Sequence, residues 1–289
     1  MRMRVFISSR FVIALALWCT TLHTVAQSPL DQAKEAYAAA DYAKALSAAD
    51  LQIEQQPSGE AYMMRADCLQ KLGEYTRALD DYDRAKSMGY EGTEFYMHRG
   101  ICKISAQLFE SARQDLVTYL QKNEADAKGY YWLAVVEYMS MENRACQRYI
   151  DEAIYLDSTY AEAYYLRAAN YVDTKKNLLA LEDFQMAFSL QPALLRAKLN
   201  MAVILLDMGQ YKSSLEMLTE LKAEKSDCLA EALYYHGEAL YFKHDMEGAC
   251  GDWVEAAELG DDDAEAMYKK LCIDKNDKPR FKRRTYFQF

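Results

Sequence analysis

Cysteine and histidine are the residues in this sequence best suited to chemistry. Cys19 stands near the N-terminus, and Cys68, Cys102, Cys146, Cys228, Cys250 and Cys272 follow it. An even number of thiols suits disulfide formation in an oxidising compartment. The histidines are His23, His98, His236 and His244. His98 is far from the other two in the chain, and none of the last three has a Cys or acidic residue at metal-ligand spacing, so they read as isolated packing or surface residues. No glycine-rich phosphate loop, nucleophile elbow or metalloprotease helix is present. The many carboxylates are spread along polar helix faces, and none is singled out as half of a catalytic pair. The sequence therefore predicts neither an enzyme nor a cofactor or metal site.

The N-terminal stretch explains why an oxidising compartment is expected. Arg2, Arg4 and Arg10 precede an apolar run from Phe11 to Leu17 that continues through Trp18 and Cys19, and Thr24, Val25 and Ala26 end it. This is the pattern of a secretory signal peptide over residues 1–26, with Gln27 as the new N-terminus. The run is shorter than the roughly 20 residues needed to span a bilayer. Bulky Trp18 makes Cys19 a poor lipidation site. The expected location is the periplasm or another part of the cell envelope.

Without the three leader arginines, 31 basic residues face 44 acidic ones, a net charge of −13. The tail over residues 275–289 carries six basic residues against Asp277, a net of +5, which leaves the body near −18. So acidic a body argues against nucleic acid, whose binding rests on phosphate contacts.

The elements come from a repeat. Ala45, Ala78, Ala112, Cys146, Ala180, Ser214 and Ala249 are spaced by 33, 34, 34, 34, 34 and 35 residues. Twelve residues before each lie Ala33, Ala66, Gly100, Ala134, Ala168, Ala202 and Gly237. A column of large residues follows, with Tyr82, Leu116, Ile150, Phe184, Leu218 and Trp253. Two antiparallel helices approach closely where both present small side chains, and the large residue fills the space alongside. Helix formers dominate, Gly and Pro number only 11 and 4, and Ser28-Pro29 opens a helix. Seven helical hairpins are predicted, closed by a capping helix over residues 263–272.

These columns resemble the tetratricopeptide repeat (TPR). The fifth repeat shows its pattern in Tyr164, Ala168, Tyr171, Ala180, Phe184, Ala187 and Pro192. The second shows it in Tyr62, Ala66, Gly73, Tyr75, Ala78, Tyr82 and Ala85. Departures are Ala49 where the first repeat should have a large residue, and Tyr119 where the third should have a small one. The resemblance implies an all-α, right-handed solenoid over residues 27–274 that binds proteins in its concave groove.

Carried over residue by residue, the resemblance places Met63, Asp67, Met97, Ile101 and Ile104 on the groove side. Tyr131, Val135, Tyr138, Tyr165, Ala169 and Val172 follow, then Leu199, Val203, Tyr234, Glu238 and Tyr241. An exposed apolar strip of this kind suits an apolar peptide or amphipathic helix, unless the strip is core or is covered by the protein's own tail. The family's chaperone-binding clamp has Lys and Asn where this chain has Met63, Asp67, Met97 and Ile101, so that partner is not expected.

Two other points stay open. On this layout Cys250 and Cys272 face each other across the last repeat and its cap, and they either form a disulfide or pack as small apolar residues. The tail, expected to be disordered, has three alternative roles: anionic-lipid contact at a membrane surface, folding back on the acidic body, or adding a strand to a partner. Self-assembly into a homo-oligomer is the alternative to binding a separate partner.

Overall fold

The computed structural model describes residues 27–224 and 226–273, so the leader and the basic tail lie outside the described residues. Within them the chain is helical, with no strand. It divides into two compact units between Gly92 and Thr93.

The first unit contains two hairpins, α1 (Pro29–Ala38) with α2 (Tyr42–Gln55) and α3 (Gly59–Lys71) with α4 (Tyr75–Ser87). The second contains five: α5 (Phe95–Ser105) with α6 (Phe109–Leu120), α7 (Ala127–Met139) with α8 (Asn143–Leu156), α9 (Ala161–Asp173) with α10 (Asn177–Leu190), α11 (Leu195–Asp207) with α12 (Tyr211–Glu224), and α13 (Leu229–Phe242) with α14 (Met246–Glu258). We call the first helix of each hairpin A and the second B. A short helix, α15 (Asp262–Tyr268), follows and runs into a π-turn over Lys269–Ile273. The capping helix predicted over residues 263–272 is thus a shorter α-helix plus a π-turn. Asp261 starts it by accepting a hydrogen bond from the Ala264 amide at 2.9 Å.

Side-chain caps define several other helix starts. Ser28 accepts from the Asp31 amide ahead of Pro29, and Ser58 accepts from Ala61. Asp41 and Asp245 cap α2 and α14 in the same way.

The turn inside each hairpin repeats one geometry. Ala40, Gly73, Gln107, Met141, Lys175, Gly209 and His244 all have φ between 59° and 81°. Each donates to the carbonyl three residues back, and the next residue donates to the carbonyl five back, as in Met141 to Tyr138 and Glu142 to Glu137. This is a Schellman closure, which caps the A helix and reverses the chain in one step. Five of the seven positions hold a residue with a Cβ, at about 1–2 kcal/mol each for the left-handed conformation.

The repeat columns form the core. Ala45, Ala78, Ala112, Cys146, Ala180, Ser214 and Ala249 are each at 0% exposure, as are Tyr82, Leu116, Ile150, Phe184, Leu218 and Trp253. Both departures from the pattern are accommodated. Ala49 is fully buried. Tyr119 bonds Asp126 through its hydroxyl. Room for its ring comes from Gly129, where a Cβ would stand 3.0 Å from Tyr119 and 2.7 Å from Leu120.

Cys250 and Cys272 are joined as a disulfide with a Cα–Cα distance of 5.9 Å. The bond ties the π-turn to α14. It closes a loop of 22 residues, which in the chain-entropy picture is worth about 3 kcal/mol. Cys68, Cys146 and Cys228 are buried free thiols, and Cys102 is buried as well.

Candidate partner-binding face

The A helices of the second unit set the candidate face. Residues 131, 165, 199 and 234 recur at the repeat spacing, so Tyr131, Tyr165, Leu199 and Tyr234 stand at one level on α7, α9, α11 and α13. Val135, Ala169, Val203 and Glu238 form the next level, one helical turn on. Here the structure corrects the sequence reading, which expected these residues to be exposed. Met63, Met97, Ile104, Tyr131, Val135, Tyr138, Tyr165, Leu199 and Tyr234 are all buried. Only Ile101 and Tyr241 are half-buried.

Packing explains the burial. Tyr131 lies against Tyr160 with ring centroids 5.0 Å apart, and Tyr165 meets Phe184 edge-on at 5.2 Å. The Tyr165 hydroxyl accepts from Asn200 Nδ2 at 2.9 Å, which ties α9 to α11. Burial holds the Tyr131 and Tyr138 hydroxyls above the ordinary phenol range. Burial also raises the Tyr165 hydroxyl, to about 12, against the opposing hydrogen bond from Asn200. In the first unit, Asp67 is likewise turned inward, with its carboxylate 2.6 Å from the Tyr82 hydroxyl.

A second constellation, not read from the sequence, lies between the A and B helices. Arg65 on α3 is bidentate to Asp81 on α4 at 2.6 and 2.8 Å, and reaches back to Asp50 on α2 at 2.8 Å. Arg167 on α9 repeats this with Asp183 on α10 and Asp151 on α8. Arg99 pairs with Asp115 at 2.8 Å through two nitrogens, and Lys103 joins Asp115 at 2.7 Å. Within each hairpin the A-helix arginine and the B-helix aspartate are 16 residues apart. At the same positions the fourth hairpin has Leu133 and Tyr149, and the sixth has Met201 and Met217. Charged and apolar versions of one contact therefore alternate along the second unit. The paired aspartates raise the affinity of Arg65 and Arg167 for their protons, so both stay charged at any relevant pH.

In the seventh hairpin this position holds His236, expected to be isolated. Its Nδ1 is 2.5 Å from Asp252, and its Nε2 is 3.2 Å from the Thr219 hydroxyl. Lys222 also pairs with Asp252. Thr, His and Asp in line suggest nucleophilic chemistry, but Thr219 donates its hydroxyl proton to the Leu215 carbonyl at 2.7 Å. The hydroxyl is thus engaged with the backbone of its own helix as well as facing the imidazole. The cluster ties α12, α13 and α14 together. Among the described residues no group of three His, Cys, Asp or Glu side chains could hold a metal ion.

Solved structures match this arrangement. A tetratricopeptide repeat protein from Parabacteroides merdae aligns with a TM-score of 0.63 at 14% identity, over 83% of this chain and 96% of its own. PilF of Pseudomonas aeruginosa aligns with a TM-score of 0.60 at 16% identity, over 70% and 91%. The C-terminal part of a TPR protein from Cytophaga hutchinsonii aligns at 0.58 and 17% identity, over 85% and 95%. The fold is the tetratricopeptide fold. No protein-family model and no curated protein matches the sequence. At these identities the likeness concerns the backbone and its stacking, and the TPR face described above rests on this chain's own residues.

Proposed function

We propose that this chain is a non-catalytic protein-interaction scaffold of a bacterial cell envelope that holds an apolar peptide or amphipathic helix along the A-helix face of its second unit. The observation that carries this reading is the five-hairpin stack of the second unit, on whose A helices Ile101 of α5 and Tyr241 of α13 keep apolar surface half-buried. Tyrosine, as at position 241, offers apolar area with a hydroxyl for backbone groups. Export is supported by the signal-peptide pattern over residues 1–26 and by the disulfide. A non-catalytic role is supported by the Thr219 hydroxyl's bond to the Leu215 carbonyl, which engages that hydroxyl within its own helix.

Affinity capture from envelope extract tests the reading. The bait is residues 27–289, compared with an Ile101→Ser, Tyr241→Ser variant of unchanged helicity. Both side chains are half-buried, so the variant does not hollow the core. A single protein retained by the unaltered chain and lost by the variant supports the face as the binding site. Identical capture by both refutes it.

A further inference from the structure

We propose that the turn edge of the second unit docks on an anionic phospholipid surface, through the tips of hairpins four to seven. In each hairpin the A helix runs toward its turn and the B helix runs back, so the turns of the stack stand along one edge and the links between hairpins along the other. Each of the four tips exposes large apolar side chains. Met139 and Met141 stand on the fourth, Leu178 and Leu179 on the fifth, Met208 on the sixth, and Phe242 and Met246 on the seventh. Met141 is 87% exposed and Leu178 66%, so both project from the fold. Phe242 stacks on Tyr211 of the sixth tip with ring centroids 5.1 Å apart, which joins the last two tips into one aromatic surface.

Each tip also carries a cation. Arg144, Lys175, Lys212 and Lys243 are exposed and make no ion pair among the described residues. Over residues 139–144, 173–179, 207–212 and 242–247, five basic side chains balance five acidic ones. Two of those acids are engaged within the fold, since Asp173 accepts from the Tyr138 hydroxyl and Asp245 caps α14. The links at the opposite edge, residues 121–126, 157–160, 191–194, 225–228 and 259–261, carry two basic against five acidic side chains, a net of −3. The disulfide holds Cys272 to Cys250 in the second turn of α14, so the described chain ends at the turn edge, and the sequence after it carries +5 over residues 275–289. Charge therefore orients the unit with its turn edge toward an anionic surface. Separate apolar side chains on protruding tips suit the boundary between headgroups and acyl chains, whereas a protein partner would be met by a continuous patch. Among the described residues no helix is long and apolar enough to cross a membrane, so the contact is peripheral. It uses the helix ends rather than the A-helix face, and so goes beyond the function proposed above.

The test is co-sedimentation of the chain of residues 27–289 with vesicles. Binding is expected to phosphatidylcholine vesicles containing about 30% phosphatidylglycerol, and not to phosphatidylcholine alone. A cation beside such a surface is worth about fivefold in affinity, so Lys175→Gln, Lys212→Gln and Lys243→Gln together should weaken binding about 100-fold. Met141→Ser with Leu178→Ser should weaken it by about tenfold or more with every charge kept. All five side chains are exposed, so both variants should retain the helicity of the unaltered chain, as circular dichroism checks. Both also keep residues 275–289, so lost binding reports on the tips. Binding by either variant equal to that of the unaltered chain would overturn the proposal. So would the absence of binding to the anionic vesicles, which would leave the tips to a protein partner. Capture by the Ile101→Ser, Tyr241→Ser variant is a separate measurement, so this proposal and the proposed function stand or fall separately.

Discussion

Gly237 offers a sharp test of how the repeat columns work. It faces Trp253, which is fully buried and donates its indole N–H to the Tyr234 carbonyl at 3.1 Å. A Cβ at position 237 would stand 2.7 Å from Trp253 Nε1, 2.9 Å from its Cδ1 and 3.1 Å from the Ala249 carbonyl. Ala in mid-helix is worth about 1 kcal/mol over Gly. Against this, overpacking costs about 1–3 kcal/mol, and a displaced indole leaves a buried donor and acceptor at about 1 kcal/mol or more. Gly237→Ala should therefore destabilise by about 2 kcal/mol. The fifth hairpin shows the remedy, since Ala168 there stands at the same column as Gly237 and Phe184 at that of Trp253. In a Trp253→Phe background, Gly237→Ala should stabilise by about 1 kcal/mol, a reversal of sign and a coupling near 3 kcal/mol. Urea unfolding followed by far-ultraviolet circular dichroism measures all four corners of the cycle. If Gly237→Ala raises the midpoint in the unaltered chain, the close-packing account of the columns is wrong.

Three more outcomes follow from the same structure. Met141 is 87% exposed with φ at 61°, so Met141→Gly should relieve the left-handed strain and stabilise by about 1 kcal/mol in the same unfolding assay. Arg167→Met strands the buried Asp183 and should cost about 3 kcal/mol, whereas Arg167→Met with Asp183→Met, the pairing of the sixth hairpin, should recover most of it. Burial pushes the Cys68 and Cys146 thiols up to about 12. Iodoacetamide at pH 8.5 should therefore leave both unmodified in the folded chain and label both in denaturant, as peptide mass spectrometry would record.

The helical hairpins were legible because close helix contacts need small residues, and small residues at a 34-residue spacing stand out from the rest of the sequence. The left-handed turns were not read, since Gln107, Met141, Lys175 and His244 carry no local sign of positive φ; only their alignment with Gly73 and Gly209 reveals them. The exposure of the candidate face was misjudged for a different reason. The resemblance indicates which side of an A helix Leu199 or Tyr234 occupies, but burial depends on how closely the neighbours approach. His236 looked isolated because Asp252 is 16 residues away. The signal that would have paired them was present in Arg65 with Asp81, Arg99 with Asp115 and Arg167 with Asp183.

The alternation of that contact limits how the array can be rearranged. Arg167 needs Asp151 from the preceding hairpin as well as Asp183 from its own, whereas Leu133 and Met201 fill the same position with apolar atoms. Each junction thus carries an address written in charge or in its absence. Excising the fourth hairpin by a 34-residue deletion would keep every small and large column in phase, yet it would set Arg167 against Val117 in place of Asp151. Hairpins of one length and one backbone are for this reason not interchangeable parts. Their order is part of what is encoded, and a shuffled array would meet mismatched neighbours at each seam.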